Sequence, residues 1–265
     1  MDLANLRKSA HLSSSSIVDY LSCGLQFKFG RIDKLPAEFI PDALEFGSAI
    51  HRVLADFYIA RQAGHYMPIT EMHAKFETYW SEAAKGNDRI KFKEGKDYET
   101  LLADGKAILS VYVTNIPDTK YTVLAVEEPF AFEIPGMHIP VIGAIDLIEA
   151  DESGVLIITD HKTSSKSYAD SDVHSSFQLS VYSIGMRNNY PNREILLKFD
   201  ALIKTKVPKF ESYYTTRDAD DEARTIKKIL NAYDGISKQV FLPNMESWKC
   251  SGCQYAKACD EYLRR

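Results

Sequence analysis

A chain of 265 residues, 45% hydrophobic and 26% charged, is long enough to bury a sizeable core and has the balance of a soluble globular protein. No apolar run approaches the roughly 20 residues of a membrane span, and MDLANLRKSAHLSSSS at the start lacks the apolar block of a secretory signal, so a cytoplasmic protein is expected. The net charge of −5 argues against a uniformly basic nucleic-acid binder, although RIKFKEGK (89–96), KTKVPKF (204–210) and RTIKK (224–228) are local basic stretches that either meet phosphate or simply face water.

In chain order, the first expected element is a helix in LSSSSIVDYLSCGLQFKFG. Ser16 with Asp19 three residues on fits a capping box, and Ile17, Tyr20, Leu21 and Leu25 recur at helical spacing. Residues 41–64 read as a longer helix ending near Gly64, and 68–84 and 96–115 as two more. The pattern then changes to β: 121–135 alternates, and 139–151 and 154–163 are two apolar runs joined through ADESG, a turn signal. Residues 175–190 read as a helix, 194–205 and 209–216 as a strand pair, and 218–237 as a helix whose acidic first turn complements the helix dipole. A nucleotide-driven motor would need GxxxxGK(S/T), which does not occur.

IITDHKTSS (157–165) is the chemically suggestive stretch, a strand that runs into an acid, a histidine and a lysine. With residues 140–162 as an antiparallel hairpin centred on Ser153, Asp146 falls directly opposite Asp160, and Lys162 shares that face. Two opposed carboxylates repel unless something compensates. A divalent cation with oxygen ligands, Mg²⁺ or Mn²⁺, would do so, and a neighbouring lysine would balance phosphate charge. A surface ion pair between Lys162 and one aspartate is the plain alternative. Gln178 and Tyr182 lie four apart on one helix face, which packing also explains.

Five ordered segments together resemble the PD-(D/E)XK nucleases, in the RecB-like branch that includes the CRISPR adaptation nucleases and the nuclease domain of AddB. They are LSSSSIVDYLSCGLQFKFGRIDKLP (12–36), FGSAIHRVLADF (46–57), GAIDLI (143–148), IITDHKTS (157–164) and FQLSVYSIGM (177–186). The resemblance implies a restriction-endonuclease-like α/β core with a mixed central sheet flanked by helices, an N-terminal helical region and a C-terminal iron–sulfur tail. It implies one domain over 1–265: a mainly helical part at 12–115, the catalytic sheet at 121–217, and a helix with the cysteine cluster at 218–265. His51, Asp146, Asp160 and the backbone carbonyl of His161 match the metal ligands of the family, and Lys162 matches its catalytic lysine. Gln178 and Tyr182 match residues that meet DNA or order the site. Glu127, in AVEEPF, resembles a recurring position on the preceding strand and is left outside the expected site.

Cys250, Cys253 and Cys259 form a C-x2-C-x5-C triplet, with Cys23 more than 220 residues upstream. Spacing alone allows zinc, an iron–sulfur cluster or chance. The family resemblance implies a structural 4Fe–4S cluster, with Zn²⁺ as the alternative. Gly24 follows the first cysteine where many relatives have proline. The expected function is therefore a Mg²⁺- or Mn²⁺-dependent exonuclease of DNA, single strands preferred, in repair or recombination, working with a helicase if duplex must be opened. The rivals are a CRISPR adaptation nuclease that trims spacer precursors beside integration proteins, and a non-catalytic DNA-binding scaffold.

Overall fold

The computed structural model describes residues 2–116 and 121–264. Helices α1 (Leu3–Leu6), α2 (Ser14–Ser22) and α3 (Gly24–Phe27) open the chain, and α3 runs on into a π-helical turn, Lys28–Ile32. A short strand, β1 (Ile40–Pro41), leads into α4 (Asp42–Gln62), followed by α5 (Ile69–Ala84), β2 (Ile90–Lys91) and α6 (Tyr98–Asn115). Three strands come next: β3 (Thr122–Phe132), β4 (Val141–Ala150) and β5 (Leu156–Ser164). Helices α7 (Asp170–His174) and α8 (Phe177–Asn189) separate these from β6 (Ile195–Ile203) and β7 (Lys209–Thr215). Helix α9 (Ala219–Ser237), a 3-10 turn (Trp248–Gly252) and α10 (Ala256–Leu263) complete the chain.

Most elements lie where the hydrophobic periodicity puts them. The cap of α2 does not. Ser13, not Ser16, is the cap residue, and the reciprocal bonds run between Ser13 and Ser16, the Ser16 N–H to Ser13 Oγ at 3.2 Å and the Ser13 N–H to Ser16 Oγ at 2.8 Å. Any of four consecutive serines is competent to cap. The choice falls on the one that leaves Ile17 fully buried in the first turn. The helix expected over 175–190 is also preceded by a separate turn, α7.

Strand order is β3-β4-β5-β6-β7. Within this five-stranded sheet β5 and β6 are the parallel pair, and a parallel pair needs a crossover, which α7 and α8 supply; β1 and β2 form a separate parallel pair. Helices α4, α5 and α6 cover one face, where Phe46, Ile50, Trp80 and Tyr112 cluster with Leu147 and Leu202. Helices α2, α8 and α9 cover the other, where Ile17, Leu179 and Ile229 cluster with Ile145, Ile158 and Phe199. Burial on both faces explains why β5 shows no alternation: Leu156 to His161 are all buried, and Lys162 is the first residue to emerge. The result is the expected architecture, a mixed central sheet flanked by helices.

Candidate active site

The hairpin of β4 and β5 adopts the register the sequence suggests. Ala150 pairs with Leu156 and Leu147 with Thr159. Asp151 holds the turn, its Oδ1 accepting the N–H groups of Ser153 and Val155, each at 2.9 Å. The ladder then ends one position short of Asp146 and Asp160. There the Asp146 carboxylate, not a main-chain carbonyl, takes the His161 N–H at 2.7 Å. A side chain bridging the strands at this point lets them part, and the two acids sit at the fork.

Asp160 faces α8 and is 1% exposed. Its Oδ2 lies 2.6 Å from Lys162 Nζ, yet no aligned hydrogen bond reaches that oxygen. Lys162 donates instead to Gln178 Oε1 at 2.6 Å. The Gln178 amide donates to Asp160 Oδ1 at 2.6 Å and to the Tyr182 hydroxyl at 2.8 Å, and Tyr182 in turn donates to Asp160 Oδ1 at 3.2 Å. The four-residue spacing on α8 thus places both side chains against one carboxylate. Burial pushes the Asp160 carboxyl up, and the Lys162 charge only partly opposes it while Asp146 adds to it. Burial acts to lower Lys162, but the charge of Asp160 2.6 Å away outweighs it and holds the ammonium above its ordinary value.

Asp146 faces α4. Its Oδ2 is 3.4 Å from His51 Nδ1. Burial acts to raise this carboxyl, but the hydrogen bond and charge of His51 leave it below the usual range. His51 is raised correspondingly, Asp146 overcoming the effect of burial. A third group joins them: ligand atoms of His51, Glu127 and Asp146 lie within 4.8 Å of one another. The pairing of β3 with β4 runs from Val126–Leu147 to Glu128–Ile145, which puts Glu127 beside Asp146, and Glu127 has a positive φ of 51°. Desolvation first, then the charges of Asp146 and Asp160, raise its carboxyl. Glu127 is the residue the sequence reading left out. The available signal was its place in AVEEPF, because the backbone turn that aims it has no sequence signature.

The His161 side chain points away from Asp160 into the cluster of α4 and α6. Its ring stacks on Tyr58 with centroids 5.7 Å apart, and Nε2 is 3.4 Å from the Tyr112 hydroxyl, which itself bonds the Tyr58 hydroxyl at 2.6 Å. Burial depresses this imidazole to about 4, so it is neutral. Two acid oxygens and an imidazole converge here, from Asp146, Glu127 and His51, a donor set that fits a hard divalent cation such as Mg²⁺ or Mn²⁺, while Asp160 is outside this group and its Oδ2 lies against Lys162.

The cysteines are arranged more loosely. No three of their sulfurs lie within 4.8 Å of one another, as a compact ligand group would. All four nevertheless line a single cavity of about 160 Å³, walled also by Leu25, Phe29 and Tyr255. Burial raises the thiols of Cys253 and Cys259, and the neighbouring cysteines add to it.

A family model of the PD-(D/E)XK nuclease superfamily matches residues 11–260. The crystal structure of a protein from Eubacterium rectale described as a "putative exonuclease" superposes with a TM-score of 0.58 at 13% identity, covering 93% of this chain and 88% of that one, and so shares the fold. The crystal structure of SSO0001 aligns at a TM-score of 0.36 and 12% identity, over 88% of this chain and 90% of that one. No curated protein sequence matches.

Proposed function

The chain belongs to the PD-(D/E)XK nuclease superfamily, and from that premise we propose a DNA exonuclease, dependent on Mg²⁺ or Mn²⁺ and favouring single strands, that serves repair or recombination. The observation that carries the reading is the fork between β4 and β5. There Asp146 accepts the His161 N–H, and Asp160, the residue before His161, lies 2.6 Å from Lys162. His51, Glu127, Asp146, Asp160 and the His161 carbonyl would hold the cation. When bound, the cation supplies charge to polarise the phosphodiester and to ionise water. Lys162 supplies a fixed positive charge for a non-bridging phosphate oxygen or the attacking water. Gln178 accepts from Lys162 and donates to Asp160, which keeps lysine and acid in register. Tyr182 completes the clamp on Asp160. Exonuclease action and the preference for single strands rest on the family resemblance of the five motifs, and the Eubacterium rectale neighbour is described as an exonuclease, with no strand preference given.

The cysteines would hold a structural 4Fe–4S cluster. Four thiolates about 2.3 Å from one zinc would lie about 3.8 Å apart, closer than these sulfurs are drawn together, and their shared cavity favours a larger occupant. Iron content and visible absorption of protein handled anaerobically test this assignment. Cleavage of end-labelled single-stranded DNA, linear and circular, by wild type and Lys162→Ala in Mn²⁺, Mg²⁺ or EDTA tests the activity. Metal-dependent loss of the linear strand by wild type alone, with the circle spared, is expected. Absence of cleavage in either metal by protein that retains its iron would overturn the reading.

A further inference from the structure

We propose that Lys93, Lys166 and Lys204 form a phosphate-binding shelf that holds the DNA strand beside the metal site, an assignment that rests on the nuclease reading above. Two basic stretches more than 100 residues apart in sequence meet here. Lys204 follows β6, and its N–H donates to the Ser164 carbonyl at 2.7 Å. Ser164 is two residues beyond Lys162 on the catalytic strand, and its hydroxyl also closes the turn that carries Lys166, accepting the Lys166 N–H and donating to the Lys166 carbonyl. The Lys204 ammonium lies 3.8 Å from the ring centre of Phe46 on α4, the helix that carries His51. Lys93 is anchored to the start of the same helix by its N–H, which donates to Asp42 Oδ2 at 3.0 Å.

Lys93 and Lys96 lie close enough to Lys204 for their charges to act on it. Burial lowers Lys204 to about 8, Lys93 and Lys96 add to the effect, and Asp42 and Asp104 oppose it. Lys96 is engaged with Asp104 at 2.6 Å. Lys93, Lys166 and Lys204 have no ion pair among the described residues, and Lys93 and Lys166 are exposed. A protein of net charge −5 that concentrates unpaired lysines around the end of its catalytic strand has a local field suited to a polyanion. The repeated phosphates of a DNA strand fit it, because each contact needs only charge and reach and no base readout.

Binding of a fluorescent oligothymidylate, measured in EDTA across a salt series, tests the shelf apart from cleavage. In the triple variant Lys93→Gln/Lys166→Gln/Lys204→Gln the dissociation constant should rise about tenfold or more at fixed salt. The slope of log K against log salt should shrink by about 2, at about 0.7 per lost contact on a single strand. Arg224→Gln/Lys227→Gln/Lys228→Gln on α9 removes the same charge from the third basic stretch and should bind as wild type does. Lys204→Arg should retain affinity. Wild-type affinity and slope in the Lys93 triple variant, or an equal loss in the α9 variant, would overturn the shelf while leaving metal-dependent cleavage standing. Shelf-dependent binding without metal-dependent cleavage would instead remove the nuclease reading and leave a nucleic-acid surface.

Discussion

Glu127 occupies the left-handed region, with φ at 51°, where an L side chain costs about 1–2 kcal/mol. The backbone accepts this at the position where its carboxylate joins His51 and Asp146, the pattern expected when strain serves a site. Two substitutions separate the backbone from the carboxylate. Glu127→Gly should raise stability by about 1 kcal/mol in chemical denaturation under EDTA and weaken Mn²⁺ binding, read by calorimetry, by about tenfold or more. Glu127→Gln should weaken the metal comparably while keeping the backbone strain, so Glu127→Gly should be the more stable of the two. A glycine variant that melts earlier and still binds Mn²⁺ normally would make Glu127 a structural residue. His161 gives a pH signature. Burial holds its folded value at about 4 against 6.5 for the free group. Between these values the unfolded chain binds the proton and the folded chain does not, so stability falls as pH drops through 6.5 toward 4. His161→Phe removes this contribution. In EDTA the variant should gain on wild type by about 2 kcal/mol between pH 7 and pH 5, within an upper bound of about 3 kcal/mol for the whole shift. An unchanged gap at the two pH values would show that the imidazole is not held neutral.

At the scale of elements, the site depends on how closely α8 approaches the sheet. The Phe130 ring lies between Gly143 of β4 and Gly185 of α8, and a Cβ at either would come within 2.6 Å or 2.7 Å of it. The same ring meets Tyr182 edge-on at 5.7 Å, so the packing that seats α8 also seats the clamp on Asp160. Helix propensity alone makes Gly185→Ala stabilising by about 1 kcal/mol, but overpacking costs about 1–3 kcal/mol. A net loss of stability is expected, with slower DNA cleavage, and Phe130→Leu should restore both in a double-mutant cycle. Additive effects in that cycle would exclude the contact as the cause. The sequence discloses the elements and the hairpin register well, because apolar periodicity and the ADESG turn are local. It also brings Asp160, Lys162, Gln178 and Tyr182 into one reading, since two short segments carry all four. What it does not disclose depends on tertiary context. Ser13 caps α2 because of what Ile17 buries, Glu127 is aimed by a backbone turn, and the His161 ring is fixed by tyrosines from α4 and α6.

Over the whole molecule, the two ends of the chain meet at the cysteine cavity, where Phe27 stacks on Phe241 and Phe29 packs against Tyr255 and Tyr262. Helix α10 has no buried residue. The segment is tied to the N-terminal helices by single bonds, among them Tyr20 hydroxyl to the Val240 carbonyl at 2.8 Å, the Asn244 amide to the Ser22 carbonyl at 3.0 Å, and the Glu38 N–H to the Gln254 carbonyl at 3.0 Å. Gly24 permits the close approach, since a Cβ there would lie 2.9 Å from the Leu242 nitrogen. Such a segment lies at the low end of local stability unless a cross-link holds it. A cluster ligated by Cys23 and the C-terminal triplet, as proposed above, would close a loop of more than 220 residues, and by chain entropy alone a closure of that length is worth about 5 kcal/mol. Cys23→Ser should therefore lose iron and open the tail to trypsin at Lys249 and Lys257, while the sheet and its covering helices stay resistant. Restoring the thiol in a Cys23→Ser→Cys revertant should return both iron and resistance. An iron-free wild type whose tail resists trypsin as well as the rest of the chain would show that the polar bonds and the fit of Gly24 against Leu242 suffice to join the ends.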